Sequence, residues 1–219
     1  MNKILATLTG ASCSGKTTVL EELLKRHPET YARVWSYTTR KPRAGDIIDG
    51  SGEYKFISDE EFDDRLRNGE FIQFVFINGS RYGTTKRGLM DILDGEKIPL
   101  RIVEPTGVQQ FREACLPLGL TVVPIFFHAE PGDLLSRWGD RMNKEVNPDI
   151  ASFAKRIRST LEVECFWHEA EKYDCWVNTG TSLSTSETNS VDKTHRYLRD
   201  ARGDFNQEEK AWKWPFLPN

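Results

Sequence analysis

Apolar residues recur along this chain of 219 residues in short strand-like runs that alternate with segments of helical periodicity. The first run, Ile4 to Thr9, leads through a glycine-rich turn into Thr17 to His27, where leucines fall on one helical face. Pro28 ends that helix, because proline cannot continue the backbone hydrogen bonding. Strands that alternate with helices favour a parallel sheet covered by helices. We therefore expect an α/β fold with a parallel sheet of about five strands.

The same patterns predict where the remaining elements lie. Strands are expected at Arg33 to Tyr37, Tyr54 to Ile57, Glu70 to Ile77, Ile98 to Val103, Leu120 to Phe127 and Asp174 to Asn178. A capping-box pattern predicts a helix from Ser58 to near Gly69. Other helices are expected at Thr84 to Leu93, Gly107 to Cys115, Asp133 to Met142, Asp149 to Lys172 and Val191 to Arg202. Turn-forming residues predict loops at Thr38 to Gly52 and at Thr179 to Ser190.

A phosphate-binding pattern, G-x-x-x-x-G-K-[ST], spans Gly10 to Thr17, between the first strand and the first helix. Its glycines let backbone N–H groups turn inward around the phosphates of ATP, and the helix N-terminus adds partial positive charge. Lys16 offers a mobile cation to the outer phosphates, and Thr17 offers a hydroxyl to Mg²⁺. The predicted ATP-binding residues of this segment are Gly10, Ser12, Ser14, Gly15, Lys16, Thr17 and Thr18. The motif alone does not choose among a nucleotidase, a small-molecule kinase, a motor and a switch protein.

Two arginines follow on a proline-containing loop. Arg40 and Arg43 lie in the run Ser36 to Asp46, and two guanidinium forks can grip one phosphate. In isolation this run would be interpreted as a solvated basic turn. Beside a phosphate loop, it indicates a second phosphate site.

The same run reads S-x-T-T-R-x-P-R-x-G-[ED]. With Tyr54 and the element Tyr82-Gly83-Thr84, it closely resembles the guanylate kinase family, and the likeness extends from the phosphate loop to Asn178. The resemblance implies a P-loop NTPase three-layer fold with an inserted acceptor lobe and a helical lid. It implies transfer of a phosphoryl group from ATP, with Mg²⁺, to a nucleoside monophosphate. The residues implied for the acceptor phosphate are Arg40, Arg43, Tyr54 and Tyr82, and those implied for the base are Ser36 and Thr84.

The resemblance also assigns the donor side of the site. Arg137 and Arg141 lie one helical turn apart, so both project from one face, and Arg156 lies on the following helix. In the resembling family, arginines at such positions form a lid that closes on ATP, where their charge meets the transferring phosphoryl group. Asn178 matches a position near the adenine. The catalytic residues implied in this way are Lys16, Arg40, Arg137, Arg141 and Arg156.

Two positions depart from the family pattern. Gln73 stands where the family ordinarily has Glu, and an amide offers one acceptor and one donor group where a carboxylate only accepts. Glu104 is the one acidic residue kept from an element that ordinarily has two. We include both among the acceptor-binding residues. GMP or dGMP is the leading acceptor, and Gln73 keeps dTMP, dUMP or a modified base open as alternatives.

Functions of other classes are also open. A noncatalytic binding module would be expected to lose the phosphate loop, which is intact here. A sugar-phosphate kinase would also use a double-arginine grip, but Ser36, Tyr82 and Thr84 favour a nucleotide. We expect residues 1–203 to form the catalytic domain, with an acceptor lobe at 33–84 and a lid at 133–156. The tail, 204–219, carries no motif that indicates a function.

The composition of the chain limits the kinds of ligand, metal site and membrane association that we expect. The formal net charge of −3 gives no general attraction to nucleic acid, so we expect small nucleotides rather than a polymer as partners. Four scattered cysteines predict reduced thiols rather than a disulfide framework or a zinc site. No apolar run is long enough to span a bilayer, and the first residues lack a secretory pattern. We expect a cytoplasmic enzyme, monomeric or homodimeric.

Overall fold

The structure of the protein, a computed structural model, describes residues 2–42, 46–48, 52–77, 79–144, 149–180 and 187–204. The strands are β1 (Ile4–Gly10), β2 (Tyr31–Arg33), β3 (Ser36–Thr38), β4 (Tyr54–Phe56), β5 (Phe71–Ile77), β6 (Ser80–Thr85), β7 (Ile98–Ile102), β8 (Thr121–His128) and β9 (Cys175–Asn178). The helices are α1 (Lys16–Arg26), α2 (Asp59–Arg67), α3 (Lys86–Asp94), α4 (Pro105–Cys115), α5 (Pro131–Asn143), α6 (Ile150–Glu162), α7 (Trp167–Ala170) and α8 (Glu187–Arg202).

Within the described residues, a core sheet of five parallel strands runs in the order β2-β7-β1-β8-β9. Every residue of the central strand β1 is buried, because helices cover both faces. On one face Leu8 packs in a cluster with Leu23 of α1 and Leu198 of α8. On the other face Leu5 packs in a cluster with Phe111 of α4. The three-layer α/β fold with a parallel sheet is confirmed.

A second, smaller sheet is inserted between β2 and β7 of the core. We call it the lobe sheet; in the described residues its four strands run in the order β4-β3-β6-β5. Strands β5 and β6 pair antiparallel, and their register shifts between Phe71, which faces Thr85, and Gln73, which faces Thr84. The extra residue is a β-bulge, which re-aims the side chains beyond it. The bulge therefore places Gln73 beside Thr84.

Two sequence predictions about the lobe sheet were wrong. The run from Arg33 to Tyr37 is two strands rather than one, because the chain leaves the core sheet after β2 and enters the lobe sheet at Ser36. The helix predicted from Thr84 begins at Lys86. Thr84 and Thr85 belong to β6, and the Thr85 side chain caps α3 by accepting a hydrogen bond from the backbone N–H of Gly88.

Two helix predictions near the C-terminus also need correction. The single helix predicted from Asp149 to Lys172 ends at Glu162, and a 3₁₀ turn, Glu164–Phe166, and the short α7 follow it. Helix α8 begins at Glu187, ahead of the predicted Val191. Part of the predicted loop, 181–186, and the tail beyond Asp204 lie outside the described residues. The subdivision into a lobe at 33–84 and a lid at 133–156 stays a prediction.

Gly10 ends the central strand at a place where no side chain fits. Its φ is +147°, and a Cβ there would overlap the backbone carbonyl oxygen of Phe127 on β8. We expect Gly10→Ala to lower the free energy of unfolding by at least about 2 kcal/mol, because backbone atoms must shift. Urea denaturation measures this. The matched control is Gly139→Ala inside α5, where nothing lies within 4 Å of the new methyl group, and a gain of up to about 1 kcal/mol is expected. Equal effects of the two substitutions would contradict the steric argument.

Candidate functional site

The loop between β1 and α1 is built from a series of unusual backbone angles. Gly10, Cys13 and Gly15 have φ values of +147°, +65° and +87°, a region that glycine enters easily and other residues rarely. Gly15 is the N-cap of α1. A chain that alternates in this way turns its N–H groups toward one centre and forms a concave anion-binding nest at the start of a helix. The sequence pattern therefore adopts the local geometry that phosphate binding requires.

Lys16 is folded back over this loop. Its Nζ donates to the carbonyl oxygens of Gly10 and Ala11, both at 2.7 Å, and to Ser14 Oγ at 3.3 Å. Burial lowers the pKa of Lys16 from 10.5 to about 8, and the nearby carboxylates of Glu164 and Glu53 partly oppose that shift. Thr17 and Thr18, which follow on the first turn of α1, are exposed. The Lys16 ammonium group therefore lies beside the nest, and the hydroxyl groups of Thr17 and Thr18 are next to it in the sequence.

A carboxylate contacts the same loop. Ser12 donates its backbone N–H to Glu164 Oε2 at 2.6 Å. Glu164 lies in the 3₁₀ turn after α6, so the early end of that helix brings this side chain over the loop. The sequence did not identify Glu164, because the contact spans 152 positions along the chain.

The predicted lid arginines gather at the same loop. Arg137 donates to the carbonyl oxygen of Cys13 at 3.0 Å and also to that of Thr179, and so links the loop to the end of β9. Arg141 lies against the Cys13 thiol and opposes the rise in the pKa of Cys13 that burial causes. The guanidinium carbons of Arg156 and Arg141 lie 4.9 and 5.5 Å from the ring centroid of the buried Trp138. These cation–π contacts orient both arginines.

The acceptor side centres on Arg40. Its guanidinium makes a bidentate ion pair with Asp46, with N···O distances of 2.9 and 3.1 Å. It also lies over the ring of Tyr54, 5.1 Å from the centroid, and the rings of Tyr54 and Tyr82 are 5.7 Å apart. The structure therefore brings Arg40, Tyr54 and Tyr82 together. Arg43 was predicted to join them and lies outside the described residues.

A chain of buried polar side chains continues from there between the two sheets. Arg101 of β7 donates to Ser36 Oγ, Ser36 Oγ lies 3.5 Å from Thr84 Oγ1, and Thr84 Oγ1 lies 3.5 Å from Gln73 Oε1. Glu53 Oε1 is 3.9 Å from Arg101 Nη1. Burial and Glu53 raise the pKa of Tyr54, whereas Arg101 lowers it. We call Arg101, Ser36, Thr84 and Gln73 the polar relay.

Arg101 is not among the residues that the sequence motifs predicted for the site. A usable signal existed, because Arg101 is the one charged residue in Ile98 to Val103, and a charge in a strand buried on both faces needs a partner. Two other predicted residues lie at the edges of the site. Glu104 is the N-cap residue of α4, without a side-chain cap bond. Asn178 ends β9, where its Oδ1 accepts from the backbone N–H of Gly180 at 2.8 Å.

A separate cavity of about 860 Å³ lies near the start of α3 and is lined by Trp35, Tyr37, Lys55 and Arg65 among others. It contains none of the predicted site residues. Tyr37 alternates with Ser36 along β3, so the cavity is on the opposite face of the lobe sheet from the polar relay. We do not place the nucleotide site there.

The nest, its lysine and the arginines around them define a P-loop nucleotide-binding protein of the α/β class, with a lobe inserted between two core strands. The family profile described as guanylate kinase matches residues 2–179. The chain belongs to the guanylate kinase family. The resemblance that the sequence motifs indicated is confirmed.

Curated relatives agree with that assignment. A guanylate kinase from Streptomyces kasugaensis is 39% identical over 110 residues, which is 50% of this chain and 52% of the relative. A guanylate kinase from Synechococcus is 30% identical over 175 residues, covering 80% of this chain and 88% of the relative. The chain spans about half the length of several curated relatives that it matches, 52% and 57% in two of them. The crystal structure of guanylate kinase from Anaplasma phagocytophilum shares the fold, with a TM-score of 0.61 and 21% identity over 92% of this chain and 87% of that one.

The lowered pKa of Lys16 predicts a pH dependence of stability. The folded protein releases this proton near pH 8, whereas the unfolded chain holds it to its ordinary value of 10.5. Because the unfolded state binds more protons in that window, the Lys16 contribution to the free energy of unfolding rises as pH increases from 8 to 10.5. Within the window, the rise is on the order of 1 kcal/mol for each increase of the pH by one. Urea denaturation across this range should show a steeper rise for the native protein than for Lys16→Met. Parallel curves would contradict it.

Proposed function

We propose that the protein transfers the terminal phosphoryl group of ATP to GMP or dGMP, giving ADP and the nucleoside diphosphate. The observation that carries the proposal is the presence of two separate cationic sites, each of which could hold a phosphate. One is the nest with Lys16, and the other is Arg40 with Tyr54 and Tyr82. The negative charge of Glu53 raises the pKa of Lys16 and the pKa of Tyr54, so one carboxylate acts electrostatically on both sites.

The donor would bind in the nest. Backbone N–H groups and the N-terminus of α1 would hold the phosphates, and Lys16 would move from the loop carbonyls to the outer phosphates. Mg²⁺ fits this site, because the exposed Thr17 hydroxyl is a hard oxygen ligand and Mg²⁺ commonly takes its remaining ligands from phosphate and water. When bound, the ion would neutralise phosphate charge. Asn178, at the end of β9, would face the adenine.

The acceptor phosphate would bind at Arg40, with Arg43 contributing from the same loop. Asp46 now occupies the Arg40 fork, so a phosphate would have to replace or share that carboxylate. Tyr54 and Tyr82 would donate their hydroxyls, while Ser36, Gln73, Thr84 and Glu104 would lie on the base side. This arrangement would orient the acceptor oxygen toward the nest.

Catalysis would be mainly positional and electrostatic, by direct in-line transfer without a covalent enzyme intermediate. Arg137, Arg141 and Arg156 would supply positive charge where the transferring group spreads its negative charge. Closure of the lobe and of the lid helices α5 and α6 would exclude water before transfer.

A second acceptor class rests on one observation. Gln73 is 6% exposed and its side chain lies beside Thr84, so its amide would meet a base that is bound next to Thr84. That keeps another nucleoside monophosphate as the alternative acceptor. The intact nest disfavours a noncatalytic binding role. The described helices contain none long and apolar enough to cross a membrane, and a cytoplasmic location and a monomeric or homodimeric state stay predictions.

Turnover tests the proposal directly. ADP release should be measured with ATP and Mg²⁺ against GMP, dGMP, AMP, dTMP, dUMP and dCMP. We expect the highest kcat/KM with GMP or dGMP, and a loss of at least about 10²-fold in Lys16→Met, since its charge acts on the transferring group. Lys25→Met, at a lysine whose side chain is 78% exposed on α1, is the matched control and should keep full activity. No turnover with any acceptor, despite ATP binding, would refute the proposal.

Glu164 should compete with ATP for the loop, because its carboxylate accepts the Ser12 N–H. We expect Glu164→Gln to tighten ATP binding several-fold, on the order of 1 kcal/mol, since a neutral amide holds the N–H less strongly and no longer repels phosphate. Calorimetric titration with ATP measures the change. Glu162→Gln, at a side chain 67% exposed at the end of α6, should leave the affinity unchanged. Weaker ATP binding in Glu164→Gln would instead make Glu164 a supporting group.

A further inference from the structure

The polar relay crosses from the core sheet to the lobe sheet and is almost completely closed to solvent. Arg101 is 7% exposed, Ser36 0%, Thr84 1% and Gln73 6%. A buried polar group is costly unless it is hydrogen-bonded, and a buried cation is more costly still. An arrangement in which each group of the relay donates to the next, all in the same direction, is therefore energetically favoured.

Arg101 sets that direction. A guanidinium donates hydrogen bonds and cannot accept them. Because Arg101 donates to Ser36 Oγ, the Ser36 hydroxyl hydrogen is directed to its other neighbour, Thr84 Oγ1. Thr84 in turn donates to Gln73 Oε1. The carbonyl oxygen of Gln73 therefore accepts a hydrogen bond within the relay.

The two ends of the relay then present hydrogen-bond donors. At one end, the Gln73 amide nitrogen has no acceptor among the described residues. At the other end, Arg101 Nε is buried and also has no partner in the part of the chain that the structure describes. A buried donor without an acceptor, such as Arg101 Nε, is rare in folded proteins and needs an explanation.

The relay adjoins the acceptor phosphate site. Ser36 of the relay pairs with Tyr54 across strands β3 and β4, and the Tyr54 ring contacts Arg40 and Tyr82. Gln73 and Tyr82 lie on the two strands β5 and β6 that form one hairpin. A nucleoside monophosphate held by its phosphate at Arg40 would extend its base toward these donors.

We propose that the relay makes this pocket a reader of base carbonyl oxygens, selective for 6-oxopurine monophosphates and without a requirement for the purine 2-amino group. This inference rests on the proposed function, since it assumes that the acceptor base enters here. Guanine offers acceptors at O6 and N7, which suit a donor-presenting pocket. Its 2-amino group is a donor, and the relay provides it with no acceptor. Arg101 acts as a positioning residue that fixes the orientation of the Gln73 amide.

Binding of GMP, IMP and AMP by calorimetry tests the inference in the native protein. IMP is the same 6-oxopurine without the 2-amino group, so IMP should bind at least as tightly as GMP, since the relay gives the 2-amino donor no acceptor and an unpaired donor lowers the affinity. AMP presents an amino group to the Gln73 amide hydrogens and should bind at least about tenfold more weakly. GMP binding more than about tenfold tighter than IMP would overturn the inference, because a 2-amino acceptor would then exist.

Two variants test the role of the relay itself. Gln73→Glu keeps the size of the side chain but turns its free end into an acceptor, so GMP should become at least about tenfold preferred over IMP. Arg101→Met removes the donor that directs the relay, so the amide can reverse and the discrimination against AMP should fall several-fold. Arg112→Met, at an arginine paired with Glu171 away from the relay, is the matched control and should keep the native ratios. Thermal denaturation and ATP binding verify that each variant is folded.

The outcomes separate the two proposals. Transfer to GMP together with rejection of IMP would keep the proposed function and overturn the relay inference. Unchanged base ratios in Gln73→Glu, with the protein folded and ATP bound, would also overturn it. Binding of none of the three nucleotides to the native protein would overturn both.

Discussion

The central position of β1 in a parallel sheet is the constraint on which the rest of the structure depends. Parallel strands end at a common edge, and ligands of such folds bind at that edge because loops and helix N-termini converge there. Gly10 leaves β1 at this edge against the Phe127 carbonyl of β8, so the loop can only turn across the strand ends. Asn178 of β9 ends at the same edge beside it. The position of β1 thus determines where the nest forms and which strands supply its neighbours.

Much of the fold was predictable because its signals are local. The apolar runs of β1 and β8 and the helical spacing in α1 are properties of neighbouring residues, and burial between helices strengthens each of them. The errors arose where tertiary pairing overrode local pattern. Thr84 and Thr85 precede a helix, yet pairing with β5 holds them in a strand. The end of α6 at Glu162 has no proline or glycine signal in the sequence.

The residues of the site also fall into a group that local sequence predicts and a group that it does not. The nest is contiguous in sequence, so its glycines and Lys16 could be identified from spacing and chemistry alone. Glu164 and Arg101 could not be, since their partners lie 152 and 65 positions away. Their contacts exist only because α6 ends early and because the lobe is inserted next to β7. The phosphate-binding geometry could therefore be predicted from the sequence. The roles of the carboxylates and of the buried cation, which determine the electrostatics of the site, could not.

Those carboxylates share a physical role. Glu164 on the nest and Asp46 on Arg40 each occupy a position where the proposed function places a phosphate. A buried or half-buried cation without an anion would be costly, so such internal partners stabilise the protein before any ligand arrives. Their presence also lowers the net gain from binding, because each must be displaced or shared when a phosphate enters. Arg101 differs from these cations: Glu53 is 3.9 Å away, and its Nε has no partner among the described residues. In the proposed function, that imbalance would make the base side of the acceptor site the place where an incoming nucleotide gains most from supplying oxygen atoms.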